Sequence, residues 1–171
     1  MNRLISNNKL EYKVPPDHEQ YFNILVVHQN RFKGNGFGAP SNDCIRDWSL
    51  PPFVDFVIWG HEHVSLINPS APEGYGCFIL QPVSTVSTSL TEGEALQKHM
   101  FKLEVKMKGH RLTPIPIKNS RQILHRTIVL SEHSITLTEA EQFICSNIED
   151  LLNSSDNTML QPPLLRLKVK I

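Results

Sequence analysis

Short apolar runs, each cut off by polar residues or glycine, carry most of the structural signal in this chain. Asn23–Val27 and Phe53–Trp59 are rich in β-branched and aromatic residues, and both predict buried strands. Cys77–Leu80 is a third such run, closed by Gln81-Pro82, and the Ser/Thr-rich stretch Ser84–Thr91 predicts a loop with a strand beside it. Met100–Lys106 alternates Phe101, Leu103 and Val105 with charged residues, then turns at Lys108-Gly109 into Leu112–Ile117. That pattern predicts a half-exposed hairpin. Pro114 and Pro116 put its second arm at a sheet edge, where a missing amide donor costs least.

The period changes after Asn119. Thr138 and Glu141 form a T-x-x-E capping signal, and Ala140, Phe143, Ile144, Ile148, Leu151 and Leu152 follow at helical spacing. The spacing predicts a helix from Glu139 to Asn153. Asn153–Pro163 reads as a polar linker, and Leu164–Ile171 alternates again, as one more strand. The sequence holds no internal repeat and no low-complexity tract.

With 171 residues the chain suits one domain or one and a half. Its formal net charge is zero with both signs interspersed, which excludes a polyanion-binding tail and leaves only a local patch for any nucleic acid. Cys44, Cys77 and Cys145 stand far apart and in no C-x-x-C pair, which predicts reduced thiols and no structural zinc knuckle. Met1–Tyr12 lacks the pattern of a signal peptide and no apolar run is long enough to span a bilayer. The expectation is a soluble intracellular protein with no membrane partner.

The chemistry concentrates in Ile58-Trp59-Gly60-His61-Glu62-His63. In an extended G-H-x-H segment both imidazoles point to one side, each offering a ring nitrogen to a divalent cation. His28, at the end of the first strand, is the candidate third ligand, and Glu62 between the two histidines points away from them. Metal pairs roughly 3.5–4 Å apart are a recurrent engine of phosphodiester cleavage. Arg31 has two readings: a fork of donors on a DNA phosphate, or an ion pair inside its own domain. Lys33–Gly38 is glycine-rich but lacks the Lys-Ser/Thr ending of a phosphate loop, so it reads as a surface turn. Ser84, Thr85, Ser87, Thr88 and Ser89 could touch a DNA backbone or serve local turns. Arg166, Lys168 and Lys170 read as a solvated face, and His99, His110, His125 and His133 have no ligand spacing.

The ordered blocks Val27–Arg31, Asp55–His63, Gln81-Pro82, Thr88–Leu90, Gly93–Ala95 and Lys98-His99 closely resemble the eukaryotic double-strand-break repair nuclease family. This is the SbcD-like, meiotic-recombination branch of the calcineurin-like metallophosphoesterases. The resemblance implies an α/β fold. Residues 1–120 would be the C-terminal half of a phosphoesterase β-sandwich with flanking helices, and 121–171 the start of a small α+β DNA-binding cap. It implies a manganese-dependent endonuclease and 3′–5′ exonuclease that processes DNA ends by two-metal hydrolysis, with His28 and His61 on one manganese ion and His63 on the other. It further implies a nuclear protein of homologous recombination and meiosis. Its partners would be an ABC-type coiled-coil ATPase, a nibrin-like subunit and a second copy of itself.

The family's remaining ligands lie in an Asp-x-His pair, a bridging Asp and an Asn-His-Asp block whose histidine aids catalysis. None of these motifs stands in this chain, so no catalytic residue is assigned and the chain alone is expected to be inactive. Two other classes stay open: a non-catalytic remnant that binds DNA or a partner, and a metallophosphatase acting on another substrate. One departure stands out, because the family's Gln-Pro pair is usually followed by glycine and this chain has Val83.

Overall fold

A computed structural model of the chain describes residues 12–32, 44–118, 121–133, 135–155 and 161–171. The fold is mixed α/β, and it divides into two compact units. The first joins the described residues up to Val83 with His99–Pro116; the second joins Ser84–Lys98 with the described residues from Ile117 onward.

The first unit is built on four strands, β1 (Ile24–His28), β2 (Phe56–Gly60), β3 (Leu66–Ser70) and β4 (Phe78–Gln81), in the order β1-β2-β4-β3. The pairs β1–β2 and β2–β4 are parallel, and β3 runs antiparallel to β4. Alternation along the strands sends Val57, Trp59 and Ile79 to one face. There they form a core with Ile45, Leu50, Val54 and Cys77, against which Leu25, Val27 and Phe53 pack. The opposite face carries Phe56 and Phe78, whose rings stand 5.1 and 4.6 Å from the His110 ring. His110 belongs to β6 (Gly109–Pro116), which pairs antiparallel with β5 (His99–Lys106). Burial of β1 departs from expectation: Ile24 is 46% and Val26 71% exposed. The strand lies at the sheet edge, and its outer face lacks the cover that Phe56 has in Phe22 and His110.

The hairpin turns one residue earlier than its sequence suggests. Lys106 pairs with Gly109, so Met107 and Lys108 form the turn, and Met107 takes the positive φ (53°). Lys108 then reaches the carboxylate of Asp55 at 2.9 and 3.1 Å. β3 escapes the sequence reading because Asn68 and Pro69 interrupt it, and its ladder shifts register between Leu66 and Ser70. Proline is tolerated there because β3 lies at the sheet's edge. Ser84–Thr91 is loop, as expected, with β4 ending just before it and a 3-10 turn at Glu92–Ala95 after it.

In the second unit β7 (Ile123–Val129) and β8 (Leu164–Lys170) pair in parallel along seven residues, with helix α1 (Leu137–Asn153) between them in sequence. Of two overlapping T-x-x-E signals the structure uses the earlier. Thr136 is the N-cap, and the Glu139 carboxylate accepts from the Thr136 N–H (2.8 Å) and hydroxyl (2.7 Å). Among the described residues of this unit Ile123, Leu124, Ile128 and Leu151 are the buried apolar ones, and Asn147 of α1 accepts from the Arg126 guanidinium of β7 at 3.0 Å. Glu94 and Lys98 are buried as an ion pair, with Thr88 donating to the same carboxylate at 3.0 Å. No helix among the described residues is long and apolar enough to cross a membrane.

Two tests follow from the first unit. Burial alone would raise the Asp55 pKa, but the Asn23 N–H at 2.6 Å and the Lys108 ammonium outweigh it and hold the group below its ordinary 3.8. Its stabilising contribution is therefore complete above that ordinary value and lost as pH falls through the lower folded one. In urea titrations at a series of pH values, Asp55→Asn should flatten the acid limb of stability below about pH 4. Val83 adopts φ +66°, where a β-branched side chain costs about 1–2 kcal/mol that glycine avoids. Val83→Ala and Val83→Gly both remove the two γ-methyls and differ from each other only by Cβ. Glycine should nevertheless be the more stable by about 0.5–1 kcal/mol, its unfolded-state entropy offsetting only part of the relief. Equal denaturation midpoints would contradict a left-handed Val83.

Candidate metal centre

The parallel register of β1 on β2 sets His28 opposite Gly60, so both strands deliver their chemistry to the same carboxyl-terminal edge. Crevices beyond the carboxyl ends of parallel strands are where open α/β sheets bind ligands. The His28 ring lies over Gly60 so closely that a Cβ built there would sit 2.7 Å from Nδ1. Glycine is therefore required by the approach of the imidazole and not by its own dihedral angles. Immediately after it, His61 takes φ +83°, which swings the chain out of the strand direction. A non-glycine residue held left-handed stores strain and is a pointer to function. The result is a pair of exposed imidazoles with ring centroids 5.3 Å apart, edge to face at 77°.

Glu62 turns the other way. It is 8% exposed, and its Oε1 accepts the backbone N–H of Arg31 at 2.8 Å. His63 is exposed again. Among the described residues no three His, Cys, Asp or Glu side chains are grouped to hold a metal ion. The structure thus brings His28 and His61 together and leaves His63 outside any group of three.

The Arg31 guanidinium faces inward, with its side chain 11% exposed. Nε and Nη2 form a fork onto both Asp47 oxygens at 3.0 and 2.8 Å, Nη2 also reaches Ser70 Oγ at 3.0 Å, and the group lies 5.5 Å from the Trp59 ring centre. Of the two readings of Arg31, the internal ion pair is the one seen here, and a phosphate contact would have to displace Asp47. Gln81, 4% exposed, offers Oε1 to Arg31 at 3.5 Å while its Nε2 donates to the Val64 carbonyl at 2.8 Å. Trp59 Nε1 donates to the Gln29 carbonyl at 2.7 Å. A buried polar layer therefore underlies both segments that bear histidine. The roles of Asp47, Ser70 and Gln81 in it were not assigned from sequence; only the Gln81-Pro82 block hinted at one of them.

Other candidates are used locally. Ser87 and Thr88 donate to Glu94, Ser84 to the Val86 carbonyl, and Ser89 shares a hydrogen bond with Thr91. Arg166 donates to the Leu90 carbonyl at 2.8 Å. The Lys33–Gly38 segment lies outside the described residues.

As a donor set, two imidazoles at this separation fit two nitrogen positions on one divalent ion. They do not fit a two-metal centre, which needs a bridging carboxylate, and no carboxylate completes a group with them among the described residues.

The structure is a mixed α/β fold with two exposed histidines at the carboxyl edge of a parallel sheet. Comparison of the sequence with known proteins goes further. No protein-family model matches the chain. Its relatives include the double-strand break repair protein MRE11 of Oryza sativa subsp. indica, 38% identical over 158 residues covering 87% of the chain. That of Arabidopsis thaliana is 37% identical over 90% of the chain, and that of Homo sapiens 36% identical over 98%. Over most of its own length the chain is MRE11-like. It spans 22% of the two plant proteins and 25% of the human one.

The contact at Gly60 is directly testable. Gly60→Ala should push the His28 ring aside and abolish the ring-to-ring NOE between His28 and His61. The melting temperature should change by only a few degrees, because an exposed ring can move and alanine favours the strand backbone by about 0.5–1 kcal/mol.

Proposed function

We propose that this chain carries the histidine-bearing part of a manganese-dependent nuclease that processes DNA ends in double-strand-break repair. The observation that carries the reading is the His28–His61 pair at the edge of the sheet, in a chain 36–38% identical to MRE11 proteins of rice, Arabidopsis and human. His28 and His61 would serve one manganese ion and His63 the other, with the oxygen ligands coming from residues outside this chain. Bound metal would supply charge stabilisation at phosphorus and a nucleophile at neutral pH. The residues of this chain hold the imidazoles in place and keep Glu62 out of the donor set.

On this reading residues 1–120 are the C-terminal part of a calcineurin-like β-sandwich, and 121–171 open the DNA-binding cap. The whole protein would act as endonuclease and 3′–5′ exonuclease in the nucleus. It would work as a homodimer with an ABC-type coiled-coil ATPase and a nibrin-like subunit. The lack, among the described residues, of a carboxylate grouped with the histidines favours a second reading for the chain by itself, a remnant that binds DNA or a partner without cutting.

The test uses the 171-residue chain and a chimaera that places it behind the upstream part of the Arabidopsis relative. With manganese, the chain alone should leave duplex DNA ends uncut. The chimaera should cut them, and His61→Ala should slow it by about 100-fold or more. Cleavage that survives His61→Ala, or hydrolysis of a phosphate monoester with no action on DNA, would overturn the nuclease reading.

A further inference from the structure

His61 occupies a backbone conformation that a non-glycine residue adopts only when its surroundings hold it there. His61, His63 and Val64 are all exposed, and two ties run beneath them. Glu62 is buried between two exposed histidines and reaches across to the Arg31 N–H just past the end of β1. Gln81 is buried at the end of β4 and ties the Val64 carbonyl from the loop's other side. Between these ties lies the Arg31 guanidinium, fixed by Asp47, Ser70 and the face of Trp59.

We infer that Glu62, Arg31 and Gln81 form a positioning layer that holds His61 left-handed and so aims its imidazole at His28. Metal recognition by these histidines, which rests on the function proposed above, is then set by residues that touch no ligand. Glu62 acts through geometry: its carboxylate is directed inward onto the Arg31 N–H while both neighbouring histidines stay exposed. It acts as a hydrogen-bond acceptor, so a neutral amide of the same length can replace it. Gln81 works at both ends of its amide, accepting from Arg31 and donating to Val64, so an apolar side chain of equal length cannot.

The experiment compares the 171-residue chain with Glu62→Ala, Glu62→Gln and Gln81→Met by NMR. A strong intraresidue amide-to-Hα NOE at His61 marks the positive φ. Titration with Mn(II) alone, read by relaxation of the His28 and His61 ring signals, gives affinity. The NOE should persist in the wild type and in Glu62→Gln and vanish in Glu62→Ala and Gln81→Met. The same two variants should weaken Mn(II) by about 10–100-fold, the usual effect of removing a group that orients a ligand. Strand amide shifts should stay in place, separating loss of aim from loss of fold. If Glu62→Ala fails to fold, Gln81→Met decides alone. Retention of the His61 NOE in the variants that fold would overturn the layer. A wild type that shows the NOE but binds no Mn(II) would sink the metal reading while the layer stands on the NOE.

Discussion

The register of β1 against β2 is the constraint on which the site depends. Five successive pairs, from Ile24↔Phe56 to His28↔Gly60, lock two parallel strands so that they end together. A slip of one residue would turn His28 to the core side and bring Val27 over Gly60. What prevents the slip is the buried face, because Val57 and Trp59 are wholly buried and pack with Val27 and Leu25. Burying a large apolar side chain is worth about 1.5–3 kcal/mol, so inverting a face would cost several times that. The core therefore fixes the position of a ring that is not in the core.

Strain is distributed in the same way. His61, Val83 and Met107 are the non-glycine residues with positive φ among those described, and each closes or follows a strand of the first unit. Met107 sits at a hairpin turn whose opposed strands pair along eight residues on each side. Val83 follows Gln81-Pro82, and its left-handed backbone explains why glycine is the easier residue there. At His61 the polar layer beneath the loop stands in for a second strand. Each costs of order 1–3 kcal/mol, and each is tolerated where paired or buried neighbours over-determine the backbone.

Legibility in the sequence followed burial. β2 and β4 are read correctly because their sides are apolar enough to produce continuous runs, and α1 because Phe143, Ile144, Ile148 and Leu151 keep the helical period. β3 and β7 are hidden: Pro69 and Asn68 disguise an edge strand, and His125 and Arg126 break a run that is otherwise apolar or β-branched. The cap of α1 was misplaced by two residues because Thr136 and Thr138 both begin a T-x-x-E signal, and only hydrogen bonding selects one. At the site the histidines announce themselves, since G-H-x-H has a chemical reason to exist. Their support does not. Asp47, Ser70 and Gln81 meet Arg31 across 16, 39 and 50 positions of sequence, and no local pattern encodes such a meeting.

On the proposed function, the histidines supply only the nitrogen side of a donor set. Imidazoles place an ion without neutralising it, and hard or borderline ions such as manganese gain most of their charge compensation from oxygen ligands. The buried Glu62 shows that the carboxylate nearest in sequence is committed to the backbone of Arg31. Asp47 is committed to the guanidinium, and Asp55 is held by Asn23 and Lys108. These acidic groups act as structure, fixing one segment against another, so none is available to bridge metals. On the proposed function, two imidazoles with no carboxylate grouped beside them among the described residues would hold an ion by nitrogen alone, and its charge would be balanced by oxygen donors other than Glu62, Asp47 and Asp55.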